Sequence, residues 1–180
     1  MMLYDGGRVP NARRVRMFLA EKGITVPMTP VDLGKKEHKS ETFSALNPLH
    51  RVPVLVLDDG TVLIESHAIL DHLDTLVPAD QALFPRAEPA RHQALRLAAL
   101  ATGLADKAVS LFYEKRLHAQ TSDVWVARCR DQIAGVLAAL EAERAARRGP
   151  YLMGEAFGHA DIVLASSLRF AAEAHPDLIT

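Results

Sequence analysis

Cysteine is almost missing from this chain of 180 residues. Cys129 stands alone, so no internal disulfide can form, and a reducing, cytoplasmic location is expected. Long apolar runs are missing too. Nothing approaches the roughly 18 unbroken apolar residues of a transmembrane helix, and the opening MMLYDGG lacks the basic, then apolar, then small-residue order of a secretory signal. Excess charge of either sign is absent: 21 Lys and Arg against 22 Asp and Glu leave a net charge of -1. That balance gives no general attraction to nucleic acid or to an anionic membrane, and neither is expected as a partner. There is no internal repeat, no low-complexity tract, no G-x-S-x-G elbow, no P-loop and no paired-carboxylate signature. What remains is an ordinary globular composition, 49% apolar and 24% charged, long enough for one domain or two small ones.

Two halves of different character follow one another. The first mixes strand and helix signals. Met2-Leu3-Tyr4 is a brief β-type run closed by Asp5-Gly6-Gly7, and Asn11 to Lys22 reads as a helix with Ala12, Val15, Phe18 and Leu19 on one face. Val26 to Leu33 suits a second strand, which Pro27 and Pro30 would confine to an edge. VPVLVLDDGTVLIE is the strongest signal: Val54–Leu57 and Thr61–Ile64 are β-branched runs joined by Asp58-Asp59-Gly60, a hairpin with a left-handed glycine. Ser66 offers an N-cap to a helix whose stripe is Ile69, Leu73 and Leu76. Pro78, Pro85 and Pro89 then break the chain. We expect one domain over residues 1–77, a linker over 78–88 and a second domain over 89–180. Beyond the linker the strand signals vanish. Leu97, Ala101, Leu104, Ala108 and Leu111 mark one long amphipathic helix, and Val126, Cys129, Ile133, Val136 and Leu140 a second, closing near Gly149-Pro150. A third is expected to begin at 158–161.

Three features of the first half carry chemistry. One is Val52-Pro53: were that bond cis, the turn would leave the Val52 backbone N–H and C=O open to an extended peptide. Another is Glu65-Ser66 at a strand-to-helix turn. Ser66 can serve as a plain N-cap, but a helix N-terminus is also a carboxylate site, and Glu65 beside it could receive an ammonium group. The last is GRVPNARRVR, which sets Arg13, Arg14 and Arg16 in the first two turns of a helix. Cations there oppose the helix dipole, so either they splay into water or an anion sits nearby.

These stretches, LYDGGRVPNARRVRMFLAEKGI and NPLHRVPVLVLDDGTVLIESHAILDHL, with the Pro-rich linker and the helical half, resemble bacterial cytosolic glutathione transferases. The resemblance implies an α/β thioredoxin-like N-terminal domain, an all-α C-terminal helical bundle and a homodimer. It implies glutathione, γ-Glu-Cys-Gly, as co-substrate with no metal, and a hydrophobic electrophile or a disulfide as second substrate in the cleft between the domains. Glu65 and Ser66 would hold the γ-glutamyl end, Val52 before a cis Pro53 would pair with the cysteinyl unit, and His38 and Arg51 lie where the family binds the glycyl end. Serine-type members carry a hydroxyl just before Pro10, where this chain has Val9. A bacterial subgroup carries T-P-N instead, with its asparagine on the sulfur, and Asn11 matches that position. Asn11 also suits a plain N-cap. Tyr4 is a second candidate for the thiol, with packing as its competing role.

The second half resembles the family more loosely. In GHADIVLASSL, Gly158 stands where the family's capping segment has Ser or Thr, and Asp161 is expected to reach back to the start of its own helix. The sequence stops at Thr180, before the final helices that often help to wall the electrophile pocket. Phe112, Tyr113 and Arg116 point to where the cleft would lie, though their spacing equally suits core and rim. His67, Asp71 and His72 share two helical turns but lack further ligands, so no metal is expected. The function this implies is transfer of glutathione to an electrophile. The alternatives are a glutathione-dependent disulfide reductase or peroxidase, and a non-catalytic module of the same fold.

Overall fold

The computed structural model describes residues 1–179. It divides into two compact units, Met1–Ala82 and the chain from Leu83 onward. The first unit runs β1 (Met2–Asp5), α1 (Pro10–Lys22), β2 (Met28–Pro30), α2 (Glu41–Leu46), β3 (Val54–Val56), β4 (Val62–Ile64) and α3 (Ser66–Thr75). Its sheet has the order β2-β1-β3-β4, with β1 and β2 parallel and the other pairs antiparallel. This βαβαββα order is the thioredoxin-like arrangement.

Strand alternation sorts the core. Leu3, Leu55 and Leu63 line up in register on one face. On the other, Tyr4, Val54 and Ile64 join Val31, Phe43 and Leu46. β2 lies at the edge, the one place where Pro30 costs no ladder bond. α1 and α3 pack on each other, burying Val15, Phe18 and Leu19 from one helix and Ile69, Leu70 and Leu73 from the other. Leu76 departs from its expected place on that stripe: it is the C-cap residue and 49% exposed. Gly60 has φ 87 in the β3–β4 hairpin, and Gly23 has φ 63 where it ends α1.

The second unit is helical: α4 (Ala90–Leu117), α5 (Asp123–Ala145) and α6 (His159–Ala174). α4 packs against both others, and Leu97, Ala101, Leu104, Ala108 and Leu111 are all fully buried along it. Cys129 is buried as a small apolar filler, and burial pushes its thiol up. α6 starts at His159, within the expected span. Asp161 Oδ2 accepts the Gly158 N–H at 2.9 Å and its Oδ1 accepts the Leu152 N–H at 2.8 Å, a structural clamp on the start of the helix. Phe112 meets Tyr113 and Phe170 edge to face, at 5.7 and 6.2 Å, in a cluster at the rim, with Phe112 and Tyr113 exposed. Among the described residues no helix is long and apolar enough to cross a membrane.

Candidate functional site

The site begins with the N-termini of α1 and α3. α1 starts one residue earlier than its sequence suggests. Val9 is the N-cap residue with no side-chain cap, and Pro10 takes the first helical position, where its missing N–H costs nothing. Asn11 is therefore inside the first turn and does not cap the helix, and its amide Oδ1 is buried without a donor among the described residues. The first turn carries no acid. The end is thus left open as a place for an anion.

The first turn of α3 is open in the same way, without an acid or a side-chain cap. The N-cap position falls on Glu65, and Ser66 is the first helical residue, a shift from the N-cap role its sequence suggests. Glu65 has φ 65, a conformation L residues adopt only at a cost of about 1–3 kcal/mol, and one that clusters at ligand sites. Ser66 is buried, and its hydroxyl faces α1. Arg14, itself fully buried, donates from Nη1 to Ser66 Oγ at 3.2 Å and stands 3.3 Å from His67 Nε2. Burial, then the Arg14 charge, push the His67 imidazole below its ordinary value. Sequence reading left Arg14 without a role, because nothing local says that it points at a helix fifty residues on.

Arg16 also finds a role within the fold. It forms an ion pair with Asp5 and donates from Nη2 to the Gly7 carbonyl at 2.6 Å, pinning the β1–α1 loop. That loop leads to the third point of the site. Gly6 lies so close to Val52 that a Cβ on it would fall 2.3 Å from Val52 Cγ2 and 3.2 Å from Val9 Cγ2. The Val52–Pro53 bond is cis, and the Val52 backbone N–H and C=O pair with nothing among the described residues. Asn47, buried, shapes the approach to this turn. Its Nδ2 donates to the Arg51 carbonyl at 2.8 Å and its Oδ1 accepts the Leu49 N–H at 3.0 Å. Sequence reading missed Asn47 and also α2, whose signal was Ser40 accepting the Phe43 N–H as N-cap.

His38 sits in a short 3-10 turn, Glu37–Lys39, and its Nδ1 is buried without a partner among the described residues. Burial, then the charges of Lys39 and His50, hold its imidazole below the ordinary range. Arg51 is exposed. Neither makes a hydrogen bond to the α1, Val52 or α3 group. Tyr4 packs edge to face on Phe43 at 6.0 Å and, with Thr29, Ser40 and Leu46, lines a cavity of about 190 Å³ on the α2 side of the sheet. What the structure brings together is therefore the start of α1, the Val52 turn and the start of α3, linked by Gly6 and Arg14. Two open helix ends and the unpaired backbone of the Val52 turn suit a short peptide with a carboxylate and an acidic group. Among the described residues no group of His, Cys, Asp and Glu is clustered to hold a metal.

Comparison with known proteins points the same way. Residues 10–76 match the family model for the glutathione S-transferase N-terminal domain, and residues 123–179 the model for its C-terminal domain. Glutathione S-transferase 2 of Saccharomyces cerevisiae is 33% identical over 183 residues, spanning 96% of this chain and 76% of the relative. A maleylacetoacetate isomerase of Pseudomonas aeruginosa is 41% identical over 80 residues, 43% of this chain and 38% of the relative. Among solved structures, a glutathione transferase family member from Pseudomonas fluorescens Pf-5 with bound glutathione superposes with a TM-score of 0.89 at 35% identity, covering 98% of this chain and 85% of that one.

Proposed function

The chain belongs to the glutathione S-transferase family, and we propose that its first unit binds glutathione and holds the thiol as thiolate for attack on an electrophile. It is a transferase-family enzyme, and the finer assignment concerns which residues do the work. The supporting observation is the pairing of two acid-free, uncapped helix ends with the unpaired backbone of Val52. The glutathione-binding domain is residues 1–77. Glu65 receives the γ-glutamyl ammonium, the α3 N-terminus with Ser66 receives its carboxylate, and Val52 before Pro53 pairs with the cysteinyl backbone. His38 and Arg51 serve the glycyl carboxylate. The protein acts as a homodimer, on the resemblance alone.

Asn11 is the residue assigned to the sulfur, as in the asparagine-type subgroup. A free thiol has a pKa of about 8.5, and lowering it two units takes about 2.7 kcal/mol of preference for the thiolate. One charge-assisted hydrogen bond supplies about 1.5–3 kcal/mol, and an open helix end adds a fraction more. The thiolate then forms the new C–S bond as the leaving group departs with its electron pair. No enzyme nucleophile is needed, since the work is electrostatic.

Calorimetric titration with reduced glutathione tests the site. Wild type is expected to bind in the micromolar-to-millimolar range, and a Glu65→Ala, Ser66→Ala double variant is expected not to. Equal binding by both would remove these residues from the site. Asn11→Ala is expected to raise the pKa of the bound thiol by about one to two units, in line with one lost hydrogen bond. A second reading, a glutathione-dependent disulfide reductase, follows from Val9 standing where serine-type members place a hydroxyl. Faster turnover of a disulfide than of chlorodinitrobenzene would favour it. The similarity to an isomerase adds a cis-alkene substrate to the same panel.

A further inference from the structure

Arg14 is fully buried on α1, behind the first turn of α3. Burying a guanidinium is costly, because it stays charged and loses its hydration. Its Nη1 is 3.2 Å from Ser66 Oγ and 3.3 Å from His67 Nε2. A guanidinium nitrogen can only donate, and Nη1 carries two hydrogens, so both partners must accept. Each is thereby fixed. The Ser66 proton is driven away from the cation, and the hydroxyl donates no hydrogen bond among the described residues. His67 Nε2 must be bare, so the neutral ring carries its proton on Nδ1. Burial and the Arg14 charge both disfavour the imidazolium, which preserves that tautomer at neutral pH.

We propose that Arg14 is a positioning residue of the glutathione site: it turns the Ser66 hydroxyl into a committed donor for the γ-glutamyl carboxylate and holds His67 as the Nδ1-protonated tautomer. The inference rests on the glutathione reading above and adds what sets the hydrogen-bond direction at the start of α3. Arg14 acts through Ser66 and does not touch the ligand. A purely structural Arg14, tying α1 to α3, would leave the carboxylate contact indifferent to it in any variant that still folds.

The test starts without ligand. Nitrogen-15 NMR of the His67 ring in wild type at about pH 7.5, above the ordinary imidazole value, is expected to show a protonated Nδ1 and a bare Nε2. A proton on Nε2 would overturn the proposal. Glutathione titration of Arg14→Met and of Ser66→Ala is then expected to show about ten- to hundredfold weaker binding in each. Their double variant should lose less than the product of the two, since both remove one hydrogen bond. Arg14→Lys should recover part of the affinity and keep the His67 tautomer, because both contacts go to one nitrogen and an ammonium has three hydrogens. A folded Arg14→Met with wild-type affinity would overturn the proposal. Should Arg14→Met fail to fold, Arg14→Lys decides: full affinity with a displaced tautomer overturns it, and a kept tautomer with partial affinity supports it. Wild type that binds no glutathione would overturn the functional reading and the Ser66 half of this one. The ligand-free ring spectrum would still decide the His67 half.

Discussion

Gly6 matters for what it lacks. A methyl group there would meet Val52 Cγ2 at 2.3 Å, and Val52 is 7% exposed, with little room to retreat. Gly6→Ala is therefore expected to cost about 1–3 kcal/mol of stability by overpacking and to weaken glutathione binding, because the loop carrying α1 and the Val52 turn move apart. Gly7 is the control. Its φ is 66, but no atom lies within 4 Å of its would-be Cβ, so alanine there costs only backbone strain, about 1–2 kcal/mol. Urea unfolding and glutathione titration of both variants check this. If the two variants lose stability alike and both bind as wild type does, the close contact at Gly6 is not what joins the site. Arg14 and Arg16 belong to the same scale. Each looks misplaced at a helix start until its partner is known, and Ser66 and Asp5 stand 52 and 11 residues away in the chain.

Among elements, the start of α6 is held by close backbone contacts. Tyr151 and Gly154 exchange two backbone hydrogen bonds of 3.0 Å, and the preceding Gly149 has φ 93. A Cβ on Gly149 would lie 2.5 Å from the Gly154 carbonyl carbon and oxygen. These are backbone atoms and cannot rotate away. Strain and clash together predict that Gly149→Ala costs about 3 kcal/mol or more. Thermal unfolding should show it as a lower Tm, whereas a Tm within experimental error of wild type would mean that the turn relaxes freely. The element can be sensitive because Asp161 spends both carboxylate oxygens on it, one on Leu152 and one on Gly158. Gly149-Pro150 was legible as a helix stop. The close approach of Gly154 was not, since it depends on a turn that returns the chain to itself.

Acid should weaken the whole molecule in two stages. His38, His67 and His175 all have imidazoles below the ordinary 6.5, in each case chiefly through burial. Such groups take up protons in the unfolded chain before they do so in the folded one. Their contribution is intact above about pH 6.5 and is lost as pH falls toward the lowered folded values, at no more than about 1.4 kcal/mol per pH unit for each proton. The carboxylates of Glu114, Glu143 and Asp177 are also lowered, so theirs is lost only below the ordinary 4.5 or 3.8. His175 is the most informative of the three. Its Nε2 donates to the Ala108 carbonyl at 2.8 Å, its Nδ1 is buried without a partner among the described residues, and Lys115, Asp177 and Arg130 surround it. Protonation would put a second N–H where nothing accepts it. His175→Gln keeps a donor for Ala108 and cannot titrate, so the fall in stability between about pH 7 and 5 should become shallower. An unchanged slope in denaturant unfolding would take His175 out of the account.

Sequence alone determined the order of the strands and of every helix except α2, the edge position of β2, the left-handed glycine of the hairpin and the stripes that bury α4. These follow from local rules: apolar period, proline's missing N–H and glycine's freedom at positive φ. The residues assigned to glutathione came from motif resemblance. Tertiary structure decided which neighbours those residues have. It moved the caps from Asn11 and Ser66 to Val9 and Glu65, turned Ser66 toward Arg14, and gave the Val52 turn its packing against Gly6. The physical reason is range. A helix or a hairpin is specified by side chains a few positions apart, but the direction of a hydroxyl proton depends on a charge delivered from another helix once the chain has folded.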